Sequence, residues 1–472
     1  MILKLRRRND KPGSQVLQWV SAILANCTIL SYGMQAGWMS PTIAVLQSEN
    51  SPTGYALDDF EISWIASTVC VLGFITSYMY GYIADRFGRK ASVIATAVPQ
   101  GLGWIIKLIS PHPISLIVAR GLCGFGAAGC FCAAPLYTKE IADDNIRGVM
   151  GSFGMMLQSL GTLIMYAMGS YLDYYTVLWI VLWLPIINTI LLFKVPESPS
   201  YLVKIGKIEE AKETLAKLRG IHKEDKTIAA DIALISTDED YYKSIPKISL
   251  KSIFADKAWR KAVWLAFILM TTLDTGGNFA ILTYASVILN QAGVTVSPEL
   301  QSLSFPAVMI LGSLLSMSCV EKFGRKPLFL ICVVFTALPM ATLGTGLLIQ
   351  HLGGTIPPWL PVVSIVVCVF CYGAGILPVP YIVMSEMFNF QIRAKLLGYF
   401  VCYGWFMCFV QTITFTPISQ ALGMHTMFYI FAGFNIVSFF VVLFFLPETK
   451  GKSVYEIECL LRGKDNKVRD TI

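Results

Sequence analysis

Long apolar runs, broken by short polar and basic turns, set the pattern of this chain. A run of roughly 20 apolar residues is long enough to cross about 30 Å of hydrocarbon as a helix. Twelve such spans are predicted: 15–46, 62–83, 91–110, 114–138, 148–172, 176–195, 261–290, 298–320, 327–350, 358–386, 394–422 and 425–446. Two of the polar breaks are near copies. Gly81-Tyr-Ile-Ala-Asp-Arg-Phe-Gly-Arg-Lys90 follows the second span, and Val320-Glu-Lys-Phe-Gly-Arg-Lys326 follows the eighth. Each reads as a tight turn, with glycine for the reversal and basic groups kept out of lipid. Copies at matching places imply two homologous halves, and an all-α membrane protein of two like halves reads as a transporter.

A second repeat supports the duplication. Pro135 to Gly148 and Pro380 to Ala394 each carry a Glu seven residues before an Arg, Glu140/Arg147 and Glu386/Arg393. Seven residues are about two helical turns, so each Glu and Arg share a face but sit too far apart to pair. Each is better placed to pair with the basic loop of its own half. The one long polar stretch, 196–260, reads as a linker with short helices; Ile208 to Leu218 has helical spacing with Glu209, Glu210 and Lys212 on its wet side. The expected organisation is a cytoplasmic N-terminus (1–14), a six-helix bundle (15–195), a cytoplasmic linker (196–260), a second six-helix bundle (261–446) and a cytoplasmic tail (447–472).

Charge fixes the sidedness expected of these spans. Only 14% of the 472 residues are charged, against about 25% in soluble proteins. The net charge of +7 is no sign of nucleic-acid binding, because the basic residues gather before span one and in alternate loops. Lys4, Arg6, Arg7, Arg8 and Lys11 precede span one, and the Arg86/Arg89/Lys90, Lys139/Arg147 and Lys322/Arg325/Lys326 loops fall on the same side. That side is the cytoplasm by the positive-inside rule. The loop at 47–61 has Glu49, Asp58, Asp59 and Glu61 and no Lys or Arg, so it is placed outside. No cleavable signal peptide is expected, since the first apolar run is too long and lacks a small-residue cleavage site. The 12 Cys, mostly inside spans as are Cys123, Cys130 and Cys368, read as small apolar packing residues. The four His are scattered and no Ser/His/Asp or metal-ligand cluster is visible, so neither an enzyme nor a metal or cofactor is expected.

Within the spans, a few residues stand out. Ser31 to Pro41 in span one holds Gly33, Gly37 and the polar Gln35. It reads either as a small-residue packing face or as a broken helix lining a cavity. Arg120-Gly-Leu-Cys-Gly-Phe-Gly-Ala-Ala-Gly129 in span four mimics a nucleotide motif, but no strand precedes it. Arg120, read at the cytoplasmic end of its helix, either snorkels or pairs with an acid such as Asp85. Asp274 in span seven precedes Gly276-Gly277. It caps the amides freed by the glycines, contacts a substrate, or carries a proton.

Taken together, the motifs resemble the sugar porter branch of the major facilitator superfamily. They are Gly81-x-x-Ala-Asp-Arg-Phe-Gly-Arg-Lys90, Pro135-x-Tyr137-x-x-Glu140-Ile141 with Arg147-Gly148, Pro196-Glu-Ser-Pro199, Glu321-x-x-Gly324-Arg-Lys326 and Pro447-Glu-Thr-Lys-Gly451. Gly37-Trp-Met-Ser-Pro41 looks most like insect trehalose-transporter-like members. The resemblance implies two bundles, alternating access and a central carbohydrate site. It matches less well at that site. Where the family has Gln in span five stands Met155, with Gln158 one turn on; the span-seven Gln pair is lost, though Asn278 remains and Asp274 appears. A span-eight Asn is Met309, a span-ten Trp is Tyr381 and a Glu is Gly373; Trp405 is kept but the Asn before it is Gly404, and Ser200 replaces an Arg.

The reading is therefore a facilitative uniporter of a hexose or trehalose in the plasma membrane, needing only a monomer in the lipid bilayer. The candidate sugar contacts are Gln35, Gln158, Asp274, Asn278, Tyr381 and Trp405, since amides and phenols both donate and accept and rings cover sugar C–H groups. The candidate cytoplasmic gate is Asp85, Arg89, Arg120, Glu140, Arg147, Glu321, Arg325, Glu386, Arg393 and Glu448. The alternatives are a non-transporting sugar sensor on this scaffold and a proton-coupled symporter. Symporters of the family carry an Asp in span one, where this chain has Gln35.

Overall fold

A computed structural model describes residues 15–244, 250–293, 301–388, 390–452 and 454–462. Among these residues all regular structure is helical, and ten helices are long and apolar enough to cross a membrane. Span one is α1 (Val16–Gly37) and α2 (Met39–Leu46); spans two to six are α3 (Asp59–Phe87), α4 (Arg89–Ile109), α5 (Pro113–Ile141), α6 (Asp144–Tyr171) and α7 (Tyr174–Leu192). The linker forms α8 (Pro199–Lys204), α9 (Ile208–Arg219), α10 (Lys226–Ser244) and α11 (Leu250–Ala255). Span seven is broken into α12 (Lys257–Thr275), α13 (Asn278–Thr283) and α14 (Ala285–Gln291). Spans eight and nine are α15 (Ser304–Phe323) and α16 (Arg325–His351). Span ten is α17 (Trp359–Cys371), a π-helical turn (Tyr372–Ile376) and α18 (Pro378–Met387). Spans eleven and twelve are α19 (Phe390–Leu422) and α20 (Met424–Phe445), followed by α21 (Val454–Arg462).

The spans pack closely because small residues line their seams. Gly33 and Gly37 of α1 lie on the backbone of α6 at Gln158 and Thr162, leaving no room for a Cβ. Of the two readings of span one, the packing face is the one formed: Trp38 keeps helical dihedrals (φ −60°, ψ −33°), so the helix runs on through it. The glycine run of α5 serves two neighbours, with Gly124 against Val69 of α3 and Gly129 against Thr96 of α4. Helix breaks occur instead in spans seven and ten.

One end of the bundle carries Arg86, Arg89, Lys90, Lys204, Lys322 and Lys326; the other carries Asp58, Asp59, Glu61 and Asp173. At the acidic end α3 begins three residues before the predicted span, because Asp58 and Glu61 form a reciprocal capping box. Among the described residues, several hydrogen bonds join the two halves toward this end. Ser286 donates its Oγ to Ser40 O at 2.5 Å, and its amide to Ser40 Oγ at 3.2 Å. Tyr166 donates to Leu282 O, and Gln420 to Asp59.

Candidate functional site

The break in span seven begins the site. Gly277 takes φ +93°, open to glycine, and a Cβ there would meet the Phe431 ring at 2.6 Å. The break frees the Asp274 carbonyl and the Gly277 amide from helical partners. With its amide turned so that both atoms are satisfied, Gln411 of α19 bridges the two, donating to Asp274 O at 2.9 Å and accepting from Gly277 N at 3.1 Å. The capping role open to the Asp274 side chain is thus taken by Gln411. In span ten the π turn holds an extra residue per turn, a geometry common at functional sites. Leu377 N closes it on Tyr372 O at 2.9 Å, and Pro378 opens α18, where its missing amide is no loss.

These elements wall a cavity between the halves, with about 80 Å³ open to the centres of water molecules. Tyr32, Phe131 and Gln158 come from the first half. The second half gives Asp274 and Phe279 from span seven, Tyr372, Leu377 and Tyr381 from span ten, and Phe400, Val401, Gly404, Trp405 and Cys408 from α19. Trp405 ties the walls together: its indole lies edge-on to Tyr32 (6.2 Å, 79°) and covers Gly73 of α3, where a Cβ would approach to 2.7 Å.

Asp274 is the acidic group in this wall. Its Oδ1 accepts from the Cys408 thiol at 3.6 Å, and its Oδ2 has no hydrogen-bond partner. A Cβ on Gly404 would sit 2.6 Å from that Oδ2. Two departures from the family pattern therefore meet in space: glycine at 404 opens the room that the carboxylate of Asp274 occupies.

Of the candidate sugar contacts, Gln158, Asp274, Tyr381 and Trp405 line the cavity; Gln35 and Asn278 do not. Gln35 is wholly buried inside the first half. Its Oε1 accepts from Lys107 Nζ at 2.9 Å, its Nε2 donates to Gln100 O at 3.3 Å, and its carbonyl accepts from Arg120 at 2.6 Å. Asn278 follows the break, wholly buried, with neither side-chain polar atom partnered.

Lys107 was not foreseen. It is fully buried in α4, with Nζ 3.8 Å from the Trp38 ring centroid and 4.1 Å from that of Trp104. Trp104 and Lys107 are three residues apart, a spacing that signals a shared face. Arg120 corrects the sequence reading. It lies in the first third of α5, far from Asp85, and donates to the carbonyls of Ile65, Gln35 and Ala66. Asp85 instead meets Lys204 at 2.8 Å and Arg89 at 3.4 Å. The error was one of helix direction: α5 starts at the acidic end, so Arg120 belongs to that half of the bundle.

The two basic turns form matching clusters. Arg89 meets Glu140 at 2.9 Å and Arg325 meets Glu386 at 2.8 Å. Each glutamate thus pairs with the loop of its own half, as the repeat spacing implied. Glu197 accepts from the amides of Arg89 and Lys90, and Glu448 from those of Arg325 and Lys326, all at 3.0 Å. These acids satisfy the helix starts that follow Gly88 (φ +105°) and Gly324 (φ +95°). Ser198 adds a bond to Glu140 in the first half. Glu197 sits in the Pro-Glu-Ser-Pro motif, and its match to Pro447-Glu448 was the available signal. Partial burial pushes the Glu448 carboxyl up, but the amides of Lys450, Arg325 and Lys326 outweigh it and hold it below the usual range. The side chains of Arg147, Glu321 and Arg393 lie outside the described residues.

The architecture is that of a twelve-helix transporter of the major facilitator superfamily. Residues 21–461 match the sugar (and other) transporter family, and the chain belongs to it. It is 26% identical over 453 residues to the facilitated trehalose transporter Tret1 of Culex quinquefasciatus, covering 96% of this chain and 86% of that one. The Tret1 of Bombyx mori is 26% identical over 455 residues, with 96% and 88% covered. The inward open conformation of the xylose transporter XylE from E. coli superposes with a TM-score of 0.78 at 21% identity, covering 94% of this chain and 99% of that one.

Proposed function

We propose that this protein moves a carbohydrate across a membrane by alternating access, as a uniporter. The observation that carries the reading is the cavity at the seam of the two halves, closed over toward the acidic end by the Ser40–Ser286, Tyr166–Leu282 and Asp59–Gln420 bonds. Basic loops favour the cytoplasm, so the acidic end is assigned to the outside and this conformation to an inward-facing state. Both termini then face the cytoplasm, with the plasma membrane as the expected address. The bundles 15–195 and 261–446 rock against each other, and the linker 196–260 joins them beneath.

A sugar fits the chemistry of the wall. Ring faces cover C–H groups, while Gln158 and the phenols of Tyr32, Tyr372 and Tyr381 can donate and accept. The names of the Tret1 relatives support a hexose or trehalose. Uniport is supported by Gln35, an amide held by Lys107 and the Gln100 carbonyl where symporters of the family carry an acid. Asp85, Arg89, Glu140, Arg147, Glu321, Arg325, Glu386, Arg393 and Glu448 are assigned to the gate at the basic end. Arg120, buried toward the other end, is not.

Counterflow of labelled glucose and trehalose in proteoliposomes tests the reading. Uptake indifferent to a dissipated pH gradient is the expected result. Saturable binding without flux would make the protein a sensor, and flux that collapses with the gradient a symporter. Glu140→Ala and Arg393→Ala should each lower uptake with surface expression nearly intact. Unchanged uptake in both removes the gate assignment.

A further inference from the structure

We propose that the cargo is a cationic carbohydrate, an amine-bearing hexose whose ammonium group is held by Asp274 inside the aromatic wall. This rests on the transport reading above and narrows its substrate class.

The first ground is uncompensated charge. Asp274 lines the cavity with Oδ2 unpartnered, and its other oxygen has only a thiol. No Lys, Arg or His lines the cavity among the described residues. The buried cations Lys107 and Arg120 sit within the first half, engaged by an amide, carbonyls and indoles. A carboxylate at membrane depth needs a counter-charge, and Asp274 is part of the cavity wall.

The second ground is the shape of the gap. Gly404 carries no side chain, so the Asp274 carboxylate lies where a Cβ would bring an atom to 2.6 Å from Oδ2. The free oxygen is therefore kept by a residue choice on a second helix.

The third is the wall itself. Tyr32, Phe131, Tyr372, Tyr381 and Trp405 present ring faces or edges to the same space. Desolvated rings attract cations. Gln158 and the phenols of Tyr32, Tyr372 and Tyr381 leave the sugar's hydroxyls groups that donate and accept, while Asp274 is the acid left for a charged substituent. An ammonium offers three donors and one charge, which suit a carboxylate with a vacant oxygen.

The test uses the full chain in proteoliposomes, with labelled glucosamine and glucose as probes at a pH where the amine is protonated. Glucosamine should be preferred by about tenfold, the scale of one charge-assisted contact. An inside-negative potential set by potassium and valinomycin should speed its entry, because each turnover moves a net charge. Asp274→Asn should bring the preference to near unity, and Asp274→Glu should restore part of it. Equal transport of both sugars by the parent protein overturns the proposal. So does a glucosamine preference that survives Asp274→Asn. Glucose flux that needs a pH gradient also overturns it, since the counter-charge is then a proton. If neither sugar moves, the transport reading fails. Binding in detergent then decides: glucosamine bound over glucose, and lost in Asp274→Asn, supports the cavity assignment, and equal or absent binding overturns it.

Discussion

The two halves bury charge on opposite terms. In the first, Arg120 is 1% exposed and gives its guanidinium to three carbonyls, while Lys107 is sandwiched by two indoles and bonded to an amide. In the second, Asp274 keeps one oxygen free at the edge of the cavity. A buried charge whose partners are complete holds helices together. A buried charge left unpartnered in a cavity wall is available to a ligand.

Arg120→Leu should have the largest effect on stability. It takes the charged donor away from three helix carbonyls of spans one and two, and should destabilise the protein by about 1–3 kcal/mol. Thermal unfolding in detergent measures this, and a variant as stable as the parent breaks the comparison at its strong end. Lys107→Met should lower stability by no more than about 2 kcal/mol, because an apolar side chain of like length still packs between the indoles. If Lys107→Met instead abolishes transport at unchanged stability, the lysine is a working group and the contrast between halves is wrong.

Gly404→Asn sharpens the other side. A Cβ at 404 would fall 2.6 Å from Oδ2 of Asp274, inside contact distance, so the carboxylate must turn away to admit the side chain. Displacing that oxygen should weaken the binding of an ammonium-bearing sugar by about tenfold, or about 1.4 kcal/mol. Isothermal titration against glucosamine reads it, and unchanged affinity would show that the vacancy does not matter.

The smallest effect belongs to Glu448, whose partners are complete but half exposed. Its folded pKa is held below the unfolded one. Its stabilisation is therefore present above the unfolded value, about 4.3, and fades as pH falls through the folded value. Glu448→Gln should flatten the acid side of the stability profile by a small amount, given solvent screening. A profile parallel to that of the parent removes this contribution.

Much of the fold was legible because its signals are long or repeated. Twelve apolar runs and two copies of the basic turn need no tertiary knowledge, and the Glu140 and Glu386 spacing pointed to the loops they meet. The cavity was half legible. Tyr381 and Trp405 stood at motif positions, and Asp274 stood out as an acid inside an apolar run. Gln35 is just as polar, yet its amide is spent on Lys107, which only the packing of α1 against α4 reveals. Lys107 went unmarked, since a sequence does not tell which way a long side chain turns. Gln411, which bridges the break in span seven, lies more than 130 residues away along the chain. Tyr372 enters the wall through a π turn that has no apolar period to announce it. The run Val401, Gly404, Trp405 and Cys408 does have helical spacing, and it was the one overlooked local signal.

The matching glutamates have a consequence for synthesis. Each helix start at a basic turn waits for an acid that comes later in the chain, 108 residues on for Arg89 and 123 for Arg325. Glu197 follows span six directly, so the first half can lock its turn before any of the second is made. Glu448 follows span twelve, so the second turn keeps its amides unmet until every span of its own half has been made. A nascent chain stalled ahead of Pro447 would hold a latched first turn and an unlatched second one.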